Sequence, residues 1–224
     1  MNNIGFGILC FGDKKYFKGA KEKQRRINQA GFDCVVLTDN PANICGDYIY
    51  YDRSVKSYHD KMMLVPQILE DHDICIIMDA DIHINDFSFL YDLKEYEFKK
   101  GISYLDTLYN HPEQKFYNWE LNLRRPEWFN YDLYARKIFP NFRNLRLIWE
   151  YFLIFNPDGD LNNFYKTYEE LQIIKESCDL NAKKDIVGYG EGVSIMLSAK
   201  VNKIPCEWDK RLYATISHKM SIIG

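Results

Sequence analysis

The chain has 224 residues, 46% of them hydrophobic and 27% charged, with a net charge of −3. That is enough for one sizeable globular domain, and it leaves no global basic field to attract nucleic acid or an anionic membrane. No apolar run approaches the roughly 20 residues of a membrane helix. The N-terminal MNNIGFGILCFGDKK alternates like a strand and lacks the basic start and small-residue cleavage site of a signal peptide. Cys10, Cys34, Cys45, Cys75, Cys178 and Cys206 form no zinc-like spacing, so a reduced, cytoplasmic protein is expected. Aromatic residues make up 16%; this suits stacking on sugars or bases, and an AT-rich coding sequence produces the same enrichment.

In chain order, residues 3–11 predict a strand, Gly12 and Asp13 a turn, and 14–30 a helix stopped by Gly31. A second strand is expected over 32–38, ending in the turn Thr38-Asp39-Asn40-Pro41, and a short one over 47–51. Residues 57–69 read as a helix despite Pro66, which kinks it or starts a new turn. The run Asp73–Asn85 (DICIIMDADIHIN) is short, rich in β-branched residues and bounded by charge, as a buried strand should be. Residues 86–100 predict a short helix and loop, and 101–106 a strand. A strand over 147–157, helices over 158–175 and 191–200, a short strand over 201–206 and a tail complete the chain. The alternation predicts a single α/β domain over 1–224, a Rossmann-like, mainly parallel mixed sheet with helices on both faces.

Three Asp-x-Asp pairs occur: Asp71/Asp73, Asp79/Asp81 and Asp158/Asp160. The first precedes a strand and reads as solvated; the last opens a helix, where negative charge suits the dipole. Only Asp79/Asp81 closes a central apolar strand. Residues i and i+2 of a strand share a side, and ligands of open α/β sheets bind beyond the strands' carboxyl ends. Two carboxylates so placed repel each other and call for a cation. A hard divalent metal suits oxygen ligands and leaves positions for a diphosphate.

These pieces resemble a nucleotide-sugar-dependent glycosyltransferase of the A fold, closest to its retaining families. The likeness rests on the N-terminal strand-turn-helix, VVLTDN, SYHDKMMLVPQIL and IIMDADIHI. It implies Mn2+ or Mg2+ on Asp79, Asp81 and a C-terminal His218, with Lys219 toward the diphosphate. The glycine and proline-tryptophan that usually follow that histidine are missing. The resemblance further implies that Cys10, Phe11 and Gly12 border the nucleotide base through backbone groups. Asp39 would contact base or ribose, and Lys61 the nucleotide or the Asp-x-Asp. Residues 1–106 would form the nucleotide-sugar half and 107–224 the acceptor half. Glu191, between glycines at a helix start, and Glu150, inside an apolar strand, are candidates for general base or for stabilising the anomeric carbon.

Residues 109–149 mix aromatic rings with basic side chains and suit a glycan or other hydroxyl acceptor by stacking and charge. Nucleic acid could use the same chemistry, without support from the net charge. Two other functions compete. One is an inactive transferase fold that binds glycan or nucleic acid. The other is a haloacid-dehalogenase-like phosphatase, whose Asp-x-Asp ordinarily follows the first strand and continues to Thr, whereas Ile82-His83 follow here.

Overall fold

A computed structural model describes residues 2–12, 14–51, 58–105, 129–141, 148, 151–179 and 191–222. The chain divides into two compact units. The first comprises residues 1–105, 150–157 and 207–224, and the second residues 106–149 and 158–206.

The first unit is built on a sheet whose leading strands are β1 (Ile4–Cys10), β2 (Asp33–Thr38), β3 (Tyr48–Tyr50) and β4 (Ile74–Asp79). With β6 (Gly101–Tyr104), β7 (Phe152–Asn156) and β8 (Cys206–Trp208) the order is β3-β2-β1-β4-β7-β6-β8. The first four strands run parallel, and β7 runs antiparallel to both β4 and β6. This is the Rossmann-like mixed α/β sheet expected from the sequence. The chain steps outward from β1 through β2 to β3 and then crosses back past β1 to β4, so right-handed crossovers in opposite directions put helices on both faces.

The burial pattern explains why these residues form central strands. All seven residues of β1 and the first five of β4 are buried, which suits continuous apolar runs covered on both sides. Helix α1 (Lys14–Gln29) buries Phe17, Ala20, Gln24 and Ile27, spaced as one helical face. On the other face α2 (Leu64–Leu69) buries Leu64, Val65 and Ile68. Gly7 allows the close seating of α2: a Cβ there would lie 2.6 Å from Ile77 Cδ1 and 3.1 Å from Leu64 Cδ1. A 3-10 helix over Tyr58–Met63 leads into α2. Pro66 therefore sits in the first turn of α2, where its missing N–H breaks no hydrogen bond.

Three expectations need correction. The strand of the Asp-x-Asp run is two strands: β4 ends at Asp79, Ala80 and Asp81 form a turn, and β5 (Ile82–Ile84) belongs to a separate two-stranded sheet. The tail is structured as α7 (Lys210–Ile216), a 3-10 turn over Ser217–Lys219, and β9 (Met220–Ile222), which pairs antiparallel with β5. Asp209, buried, starts this segment by accepting Leu212 N at 3.0 Å and the Tyr96 hydroxyl at 2.8 Å. The strand expected over 201–206 lies later, because the preceding helix runs through Val201 and closes on Lys203 at φ 58°, with Ile204 N donating to Ala199 O. Helix α3 (Phe89–Lys94) fills the segment read as short helix and loop.

In the second unit α4 (Phe129–Ile138) packs on α5 (Asn162–Asp179), and α5 on α6 (Glu191–Val201). Tyr134 donates its hydroxyl proton to Glu170, and Asn202 Nδ2 donates to Thr167 Oγ1 at 3.1 Å. Residues 193–199 of α6 are buried all round.

Candidate active site

The parallel register of β1, β2 and β4 brings Cys10, Thr38 and Asp79 to one edge of the sheet. This edge contains the point between β1 and β4 where the strand order reverses, the place where open α/β sheets bind ligands. Phe11 and Gly12 extend from β1; Gly12 has φ 85°, and a Cβ there would meet open space. The Phe11 ring stacks on Tyr51 with centroids 6.4 Å apart and planes 22° apart. Tyr51 is held at this edge by its N–H, which donates to Thr38 O at 3.0 Å. Asp39 follows β2 and is half-buried. Its charge and, above all, burial push the Cys10 thiol up to about 12. Cys10 is a neutral packing residue, so its part in any ligand site falls to its backbone.

The Asp79-Ala80-Asp81 turn is held from both faces of the sheet. Lys61, 1% exposed, reaches Asp79 Oδ1 with its ammonium at 2.8 Å, and Asp79 keeps 29% of its side chain exposed. From α1, Lys23, 3% exposed, donates to the Ala80 carbonyl oxygen at 2.7 Å. Burial lowers the Lys23 ammonium to about 8, opposed first by Asp81 and more weakly by Cys10, Glu22 and Asp79. The Asp81 carboxyl is raised by burial and then by the charge of Asp79, with Lys23 and Lys61 partly offsetting the rise. The two carboxylates are therefore close enough to repel. A cation shared between them would relieve that repulsion, so the oxygen donors present fit a hard divalent metal. Asp81 also lines a cavity of about 160 Å³ walled by α1 and β5, together with Lys23, Tyr16 and His83.

His218 and Lys219 do not join this pair. In the β5–β9 register Ile84 faces Met220, and the Lys219 carbonyl accepts from Asn85 N at 2.8 Å. This places both residues at the end of β5 remote from Asp81. Lys219 Nζ lies 3.3 Å from Asp92 instead. Among the described residues no group of three or more His, Cys, Asp and Glu comes together to hold a metal. Glu191 is the first residue of α6, and its side chain lies outside the described residues. Glu150 and most of the 109–149 segment also lie outside them.

Sequence reasoning missed Lys23 and Gly19. A Cβ on Gly19 would stand 2.5 Å from the Ala80 oxygen. The available signal was a glycine inside a helical, lysine-rich stretch with a lysine four residues on, which puts the two on one face. Glycine disfavours a helix interior and so needs a reason to be there.

No family model matches the chain, and no curated protein matches it in sequence. It is similar to several solved glycosyltransferase structures. One is the galactosyltransferase LgtC in complex with donor and acceptor sugar analogues, with 10% identity over 91% of this chain and 72% of that one, at a TM-score of 0.48. A second is the apo form of GlyE of Streptococcus pneumoniae TIGR4, with 13% identity over 97% of this chain and 50% of that one, at 0.42. A third glycosyltransferase, involved in glycosylation of the major capsid of PBCV-1, has 9% identity over 92% of this chain and 81% of that one, at 0.43. The chain thus spans half the length of GlyE. No helix among the described residues is long and apolar enough to cross a membrane.

Proposed function

We propose that this protein transfers a sugar from a nucleoside-diphosphate sugar to an acceptor hydroxyl, with retention at the anomeric carbon, using Mn2+ or Mg2+ held by Asp79 and Asp81. One observation carries the reading: a turn with two mutually repelling carboxylates at the point where the strand order reverses, flanked by two buried lysines. Bound there, a divalent cation would supply positive charge for the diphosphate leaving group. Lys61 fixes the Asp79 carboxylate through Oδ1. The Phe11–Tyr51 pair offers an aromatic surface for the base, with Gly12 giving backbone access and Asp39 beside it.

Residues 1–106 would handle the donor and 107–224 the acceptor. Glu191 would serve as base or as stabiliser of the anomeric carbon, since a helix N-terminus favours a carboxylate, with Glu150 as the alternative. The aromatic and basic residues of 109–149 would take the acceptor. His218 is left out of the metal set because the β5–β9 register holds it elsewhere. Among the described residues the thiols of Cys10, Cys34, Cys45 and Cys75 are free, which suits a reducing cytoplasm.

The test is release of nucleoside diphosphate from a panel of nucleotide sugars, with and without Mn2+. The proposal expects one donor to turn over, a chelator to stop it reversibly, and Asp79→Asn and Asp81→Asn to abolish it. Metal-independent turnover unaffected by either substitution contradicts it. Glu191→Gln should lower transfer by about 100-fold or more while leaving Mn2+ binding unchanged, if Glu191 acts as general base.

A further inference from the structure

The bond from Lys23 is made to the backbone rather than to a carboxylate. Its ammonium donates to the carbonyl of Ala80, the residue between the two aspartates. Gly19, one helical turn earlier on the same face of α1, meets the same oxygen: any side chain there would press a Cβ to within 2.5 Å of it. Two positions of one helix thus converge on one backbone atom, and that atom belongs to the turn that orients both carboxylates. Asp79 already has an ammonium partner in Lys61. Lys23 adds a second cation without occupying a carboxylate oxygen. Outer partners of this kind set the direction of metal-binding groups.

We propose that Lys23 is a positioning residue for the Asp79–Asp81 site. By holding the Ala80 carbonyl against α1, it fixes the turn in the conformation from which both carboxylates take a divalent cation. This rests on the function proposed above. Gly19 is its counterpart, since only the absence of a side chain lets the helix approach closely enough for the bond.

The experiment titrates Mn2+ into the full chain and reads free Mn2+ by electron paramagnetic resonance. It compares wild type with Lys23→Met, Gly19→Ala, Asp81→Asn and, as a control, Lys18→Met at an exposed position of α1. Thermal unfolding confirms that each variant is folded at the titration temperature. Lys23→Met and Gly19→Ala should both weaken Mn2+ binding by about 10–100-fold, as loss of an outer-shell partner does. Lys18→Met should bind like wild type. Should Lys23→Met fail to fold, Gly19→Ala decides, because it keeps the ammonium and alanine favours helix. If Asp81→Asn abolishes binding while Gly19→Ala and a folded Lys23→Met bind within twofold of wild type, the positioning role is overturned and the proposed function stands. If wild type binds no Mn2+, both fall.

Discussion

The two flanks of the Asp-x-Asp turn solve one problem by different means. On the α2 face a fully buried lysine pairs charge to charge with Asp79, whose carboxylate stays partly open to solvent. On the α1 face a lysine almost as buried avoids Asp81 and binds the intervening carbonyl. The first arrangement neutralises the Asp79 carboxylate; the second holds the backbone and leaves Asp81 raised by burial and by Asp79, with the two lysines only partly offsetting the rise. Placing one cation on each face keeps the turn close to neutral without pairing both carboxylates.

The comparison breaks first at the carboxylates. Asp79→Asn and Asp81→Asn should each take donor turnover below detection, a loss of about 1,000-fold or more, as expected for the several kcal/mol that a Lewis acid contributes. A small effect of Asp81→Asn beside a large one of Asp79→Asn would mean that the Lys61 pair, and no metal, is what matters. Lys61→Met should destabilise the fold by about 1–3 kcal/mol in urea titrations. That is below the usual cost of breaking a buried pair, because Asp79 is still 29% exposed.

Two glycines sharpen the contrast between faces. Gly7→Ala should destabilise by about 1–3 kcal/mol, since its Cβ would overpack Ile77 and α2 with no effect aimed at the turn. Gly19→Ala should destabilise by about 1–3 kcal/mol as well, because its Cβ would press on the Ala80 carbonyl, but unlike Gly7→Ala it should also weaken metal binding. The smallest effect is on pH dependence. Lys23 has a folded value of about 8, below its ordinary 10.5, so the unfolded chain binds the extra proton between those values. Its penalty on the fold is fully present below about 8 and is relieved as pH rises toward 10.5. The buried thiol of Cys10, raised to about 12, works the other way above pH 9. The stability difference between wild type and Lys23→Met therefore isolates the lysine: it should shift in favour of wild type from pH 7.5 to 10. A flat difference would mean that the ammonium is not desolvated as described.

Much of the fold was legible because the central strands are buried on both faces. Continuous apolar runs such as Ile74–Met78 have few other outcomes, and Asp79 falls where such a run must stop. The strand was drawn too long because alternation holds only while the chain is extended, and it turns at Ala80. The C-terminal segment looked like a tail because β5 and β9 are only three residues each, and pairing between strands so distant in sequence leaves no local pattern. The same long-range register carried His218 to the wrong end of β5 for the metal set expected from the resemblance. Lys61 was visible as the basic residue before the strand. Lys23 was hidden among the lysines of α1, where only its burial separates it from the solvated ones.

The most direct test is nucleoside diphosphate release from a panel of nucleotide sugars by wild type and Asp81→Asn, each with Mn2+ and with chelator. The account predicts turnover of one donor by wild type with Mn2+ alone, and none by Asp81→Asn under either condition. Equal release by both proteins, or release that persists in chelator, would contradict it.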